Sequence, residues 1–372
     1  MSVKASFVSF LNKKYPAISL DKLNELVSDN LISPFQVELS AQQIETIKNE
    51  IKTYWQLRNW GEKNKTTDYF NMGLKKPNNY SVCMSYDFHI NAEGQPELIE
   101  INTNAAFLAM GLQIYDYFKL PNIAGPFDET HLVEMFKKEI QLVNGSNNSV
   151  AIIDENPEQQ RLYVEFLVYQ EILKSNSVNC EIFNYDQVEK IKNFALIYNR
   201  YTDFFLNQKE SAQLKELFNT KLNLSPNPYE YFLLADKQRL LDWNLQTEVP
   251  KPKSLLEVFD LGLADKEAIW KNRKNLFIKP KNSFGSKQAY KAGSISRRLY
   301  DEIYGAEFVA QQLSITPEIE VQYNNEPVKF KYDLRCYVYK DELQLMVARL
   351  YQGQTTNLKT AGGGFAAVKL KP

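Results

Sequence analysis

Residues 97–106 read ELIEINTNAA, and within this strand-like run Glu100 and Asn102 stand two positions apart. Side chains on a strand alternate faces, so Leu98, Glu100 and Asn102 are expected on one side and Ile99, Ile101 and Thr103 on the other. The apolar run YSVCMSYDFHI lies just upstream, and the polar cluster Asn91–Pro96 between the two predicts a hairpin. Symmetric pairing about a six-residue turn sets Ile90 opposite Glu97 and Asp87 opposite Glu100, with Cβ atoms about 5 Å apart. Two carboxylates at that distance, in an effective dielectric of about 20, repel by roughly 3 kcal/mol. Such a pair calls for a proton or a cation between its members. Magnesium suits it: Asp87, Glu100 and Asn102 are hard oxygen donors, and Mg²⁺ fills its remaining positions with water and phosphate oxygens. The competing reading of the same residues is the solvated outer face of a hairpin.

A metal triphosphate also needs cations. Lys279, in LFIKPKNSFGSKQAY, follows an apolar strand and precedes a loop whose Ser283, Gly285 and Ser286 could cover phosphates with their backbone amides, with Lys287 at its end. Lys237 lies in LADKQRL. Arg335 and Arg349 occupy the two arms of DLRCYVYKDELQLMVAR, where forked guanidinium groups suit a transferring phosphate or an acyl phosphate. Arg200, just past the strand-like FALIYNR, suits a substrate carboxylate or, equally, a surface ion pair. Familiar phosphate signatures do not account for the chain. It has no GxxxxGK[ST] loop, and Gly362-Gly363-Gly364-Phe365 lies too close to the end of the sequence for a dinucleotide fingerprint with its helix. Asp87-Phe88-His89 has no accompanying HRD to make it a kinase motif.

Residues 1–78 are expected to be mainly helical. Ser40 and Gln43 form a capping-box pair, followed by Ile44, Ile47, Ile51, Tyr54 and Trp55 at helical spacing. Residues 79–147 hold the acidic hairpin and a helix over 128–143 with Leu132, Met135, Phe136 and Ile140 inward; its His131 and Glu134 have a spacing that metals sometimes use. After the polar NGSNNS, residues 148–225 alternate strand and helix, with a long helix over 158–173, and predict a parallel, Rossmann-like sheet with a ligand near its strand ends. Residues 226–372 read as α+β, with strands at LFIKP, KQAYKA, EFVAQQ, KFKYDLRCYVY and LQLMVARLY. Forty-four Lys and Arg against 45 Asp and Glu give a net charge of −1, so no overall field favours nucleic acid or a membrane, and an anion must be bound locally. Cys83, Cys180 and Cys336 have no metal or disulfide spacing, which fits a reducing, cytoplasmic setting, and no apolar run is long enough for a signal peptide or a transmembrane helix.

Taken together, ELIEINTNAA, LADKQRL, LFIKPKNSFGSK, FVAQQL, YDLRCYV and ARLYQGQTTNLKTAGGGFAAV resemble an ATP-grasp ligase. The acidic strand lying ahead of the lysine strands is similar to the circularly permuted order of eukaryotic-type glutathione synthetase. The resemblance implies two α+β subdomains that clamp ATP, a Rossmann-like substrate domain and an N-terminal helical region. It puts Mg²⁺ on Asp87, Glu100 and Asn102, and the nucleotide on Lys237, Lys279, the flap Ser283, Gly285, Ser286 and Lys287, and the hinge Gln311 and Gln312. Arg335 and Arg349 would neutralise charge at the γ-phosphate, while Arg200, Lys359, Gly362, Gly363 and Gly364 would meet substrate. The implied reaction joins a small-molecule or peptide carboxylate to an amine through an acyl phosphate; a homodimer is the assembly left open. The chain departs from glutathione synthetases at Ser85, where they carry arginine, at Gln312, where they carry a metal-binding glutamate, and in a flap with one glycine. Those departures leave two alternatives open: a catalytically inactive ATP-binding regulatory module, and a ligase that modifies peptides or proteins.

Overall fold

The computed structural model describes residues 2–282, 288–354 and 356–372. In chain order its strands are β1 (Val37–Leu39), β2 (Met84–Ile90), β3 (Pro96–Asn102), β4 (Ser149–Asp154), β5 (Asn179–Asn184), β6 (Leu196–Asn199), β7 (Leu224–Ser225), β8 (Val258–Asp260), β9 (Leu276–Pro280), β10 (Tyr290–Lys291), β11 (Phe308–Gln312), β12 (Glu318–Tyr323), β13 (Glu326–Tyr339), β14 (Glu342–Tyr351) and β15 (Gly364–Leu370). They build a seven-stranded sheet in the order β1-β15-β14-β13-β2-β3, with β12 beside β13, and two four-stranded sheets, β10-β9-β11-β8 and β5-β4-β6-β7. The first small sheet is antiparallel throughout. The second is parallel throughout, as the alternation of strand and helix over 148–225 requires.

Residues 1–78 supply helices Val3–Lys14, Leu20–Leu26, Ala41–Asn64 and Thr66–Asn71, and also β1, which pairs with β15. The Ser40–Gln43 capping box is formed, and Ile44, Ile47, Ile51 and Tyr54 lie in the core that this helix shares with the large sheet. Helix Glu129–Leu142 buries Leu132, Met135, Phe136 and Ile140. Its His131 bonds the capping Asp128 instead of facing Glu134 across a metal. The helix expected over 158–173 is a short 3₁₀ turn, Pro157–Gln159, followed by Tyr163–Ser175. Among the described residues no helix is long and apolar enough to cross a membrane.

The acidic hairpin forms with a different turn. Asn91 to Gln95 close it, with Gly94 at φ 76° and the Asn91 side chain accepting from the Glu93 and Gln95 amides, so Ile90 faces Pro96 and not Glu97. A bulge between Asp87 and Phe88 then inserts Ile99 as an extra residue and brings Asp87 opposite Glu100 after all. The bulge also resets the alternation: Leu98 and Ile101, expected on opposite faces, both enter the same apolar core. The backbone it displaces joins the sheets, because the Leu98 and Ile99 carbonyls accept from Gln311 on β11 and Lys279 on β9.

Candidate active site between two sheets

Asp87 is fully buried on β2, and the register sets it between Glu100 on β3 and Arg335 on β13. Arg335 donates from Nε to Asp87 Oδ1 at 3.0 Å and from Nη2 to Oδ2 at 2.7 Å, and Arg349 Nη2 reaches Oδ2 at 2.8 Å. Ser85 Oγ adds a bond to Oδ1 at 3.1 Å. Burial alone would raise this carboxyl, but the two guanidinium groups hold it below the usual carboxylate range. The repulsion expected between Asp87 and Glu100 is therefore answered inside the protein. The cations beside Asp87 in this structure are two guanidinium groups.

Arg349 is fixed from a second side. Asp333 stands opposite it across β13 and β14 and accepts its Nε at 2.5 Å, and Asp333 also accepts the Thr356 hydroxyl at 2.6 Å. Nη1 of both arginines donates to nothing among the described residues. Asp333 was not expected from the sequence, although its position two residues before Arg335 on one strand puts both on one face. Asn102 Nδ2 donates to Glu100 Oε1 at 3.2 Å and to Asp87 Oδ2 at 3.4 Å, so Asn102 Oδ1 and Glu100 Oε2 carry no hydrogen bond among the described residues. Those two oxygens form the donor set open to a cation. Among the described residues no group of three His, Cys, Asp or Glu could hold an ion unaided.

The antiparallel small sheet brings cations to this face. Lys279 Nζ donates to Ile99 O at 2.8 Å and to Gln311 Oε1 at 2.7 Å. Burial pulls its ammonium down to about 8, with Glu100 working in the opposite direction. Lys237 follows a π-helical turn, Tyr231–Ala235, of the kind often found at functional sites, and its amide bonds Lys281 O at 3.3 Å. Burial lowers Lys237 as well, again opposed first by Glu100. Gln311 is buried and aimed at β3, whereas Gln312 is exposed at the strand end. Ser283, Gly285, Ser286 and Lys287, expected as a phosphate-covering flap, lie outside the described residues.

The expected substrate residues sit on separate segments, with Gly364 paired to Leu350 next to Arg349. Arg200 donates through Nη1 to the carbonyl of Asn104, two residues beyond Asn102. Lys359 is exposed. Gly362, Gly363 and Gly364 are buried, and a Cβ on Gly364, at φ 107°, would lie 2.4 Å from Asn30 O. Of this glycine run, expected to meet substrate, Gly364 starts β15 and packs tightly against the segment before β1.

No family model matches the sequence. No curated protein matches it either. Among solved structures, the fold is similar to a Methylobacillus flagellatus KT protein assigned as a gamma-glutamylcysteine synthetase, at 10% identity and TM-score 0.46, over 88% of this chain and 86% of that one. It is also similar to the ATP-grasp ligase PsnB complexed with minimal precursor, Mg and ADP, at 12% identity and TM-score 0.31, over 60% of this chain and 89% of that one. The complex of PsnB with precursor peptide PsnA2 and AMPPNP matches at 12% identity and TM-score 0.31, over 60% of this chain and 88% of that one.

Proposed function

We propose that this chain is an ATP-dependent carboxylate–amine ligase of the ATP-grasp type, working with magnesium and passing through an acyl phosphate. One observation carries the proposal: two buried lysines, Lys237 and Lys279, meet Glu100 and the Arg335–Arg349 pair on one face. Four cations around three acids, Asp87, Glu100 and Asp333, leave a net positive charge in a buried setting, which a triphosphate would offset. The acid strand ahead of the lysine strands supports the permuted, glutathione-synthetase-like order, and the parallel sheet supports a Rossmann-like unit that holds an acceptor.

In the proposed reaction a carboxylate oxygen of the substrate attacks the γ-phosphorus, the bond to the β,γ-bridging oxygen breaks, and ADP leaves. The amine nitrogen then attacks the acyl carbon, phosphate departs, and the nitrogen loses a proton. Magnesium, held by Glu100 and Asn102, would screen charge on the phosphate oxygens. Lys279, mainly protonated at neutral pH, and Lys237 would bind the phosphates. Asp87 and Asp333 orient the guanidinium groups so that Nη1 of each is left for charge developing on the transferring group.

The test is incubation with Mg-ATP and pools of carboxylates and amines. ADP and phosphate that form only when both a carboxylate and an amine are present support the ligase. Tight ATP binding without turnover over a broad pool overturns it in favour of a regulatory module.

A further inference from the structure

Gln311 and Lys279 share one face of the antiparallel small sheet. The register sets Lys279 opposite Val309 and Gln311 opposite Phe277, so the lysine and the amide are diagonal neighbours, a separation that long side chains span. Val309 lies in the core shared with the large sheet, while Ile278 and Ala310 enter the small sheet's other core. The face that carries Lys279 and Gln311 is therefore the one turned towards the large sheet.

Opposite it stands the bulge of β3. Regular pairing turns successive carbonyls of a strand to opposite sides, but here two in a row accept from the small sheet. Gln311 Nε2 reaches Leu98 O at 3.1 Å, and Lys279 Nζ reaches Ile99 O at 2.8 Å. The two side chains also bond each other, Lys279 Nζ donating to Gln311 Oε1 at 2.7 Å. Gln311 is 2% exposed. An ammonium only donates and a carbonyl only accepts, so these partners fix which end of the Gln311 amide is which. Both ends are engaged within the protein. An ionised glutamate could accept from Lys279 but could not donate to Leu98 O, and methionine has neither an N–H nor a carbonyl oxygen to offer. Lys279 has three N–H donors, and the two used here leave one without a partner among the described residues. Two bonds on a tetrahedral nitrogen set the direction of the third.

We propose that Gln311 is a positioning residue: it holds the Lys279 ammonium against the β3 bulge so that the remaining N–H meets a nucleotide phosphate, and its effect on the nucleotide runs through Lys279. The inference rests on the nucleotide-binding part of the ligase proposal, and it replaces the direct nucleotide contact expected of Gln311 from the sequence.

The experiment is equilibrium dialysis of Mg-ATP against four versions of the full chain: wild type, Gln311→Met, Lys279→Met and the double variant. Gln311→Met should weaken ATP by about fivefold or more when Lys279 is present, and by less than about twofold when Lys279 is already replaced. Equal losses in both backgrounds are the mark of direct contact with the nucleotide or of general structural damage, and they overturn the proposal. So does a Gln311→Met chain that binds ATP like wild type. Gln311→Asn, one methylene shorter and unable to span both partners, should repeat the pattern and carries the test if circular dichroism shows the Met variant unfolded. ATP bound with the expected dependence but never turned over removes the ligase and keeps the role of Gln311; turnover with equal losses in both backgrounds does the reverse. A wild-type chain that does not bind ATP overturns both.

Discussion

Replacing Asp87 with Asn keeps the shape of the side chain and removes its charge. Three charge-assisted bonds, at 3.0, 2.7 and 2.8 Å, then lose their anion, and two largely buried guanidinium groups are left facing each other. Breaking a buried pair by removing one partner costs about 3–5 kcal/mol, and here one acid serves two arginines. The opposing effect is relief of Asp87–Glu100 repulsion, roughly 3 kcal/mol if nothing else stood nearby. The arginines are the closer partners, so the variant is destabilised by about 3 kcal/mol or more. The assay is the midpoint and slope of urea unfolding at neutral pH, with chelator present and no nucleotide. Because the folded-state carboxyl is depressed, the contribution is present above the ordinary carboxylate range and disappears as pH falls through the folded value. Wild type and variant therefore converge in acid. An Asp87→Asn chain as stable as wild type, or more stable, would refute the guanidinium clamp and restore a bare acid pair that needs a metal.

Asp154 predicts the opposite sign. Burial pushes its carboxyl up to about 6, so the stability it favours is fully present below its unfolded value near 3.8 and is lost as pH rises through 6. Asp154→Asn should stabilise the chain at pH 7.5 by up to about 3 kcal/mol, and unfolding midpoints that do not differ there contradict this. Gly364→Ala sets a Cβ 2.4 Å from Asn30 O at φ 107° and should cost about 2 kcal/mol or more; an unchanged thermal midpoint would show that the segment before β1 yields freely. Lys279→Met removes a buried ammonium from the proposed phosphate site and should weaken ATP at least about tenfold, or 1.4 kcal/mol, in equilibrium dialysis. Unchanged affinity takes Lys279 out of the nucleotide set.

The local features of the site were legible and its wiring was not. Alternating apolar residues flanking a polar turn gave β2 and β3, and Lys279, Arg335 and Arg349 fell on strands where their type and spacing had placed them. The Asp87–Glu100 opposition was reached from a turn one residue too long and a register without a bulge, two errors that cancel because Ile99 is inserted. No local pattern announces that bulge; the bonds from Lys279 and Gln311 to its carbonyls come from 180 and 213 residues away. Distance also hid the pairing of β15 with β1, which lies near the other end of the chain. Arg200 was found by position, but its bond to the Asn104 carbonyl joins segments 96 residues apart, which no local pattern announces.

A crystal structure of the chain with a nonhydrolysable ATP analogue and Mn²⁺, phased on the manganese signal, tests the charged cleft most directly. The triphosphate should lie between the Lys237–Lys279 amines and the Arg335–Arg349 guanidinium groups, with the manganese peak on Glu100 and Asn102 and none on Asp87. Nucleotide bound elsewhere, or manganese seated away from Glu100, would contradict the ligase proposal at its base.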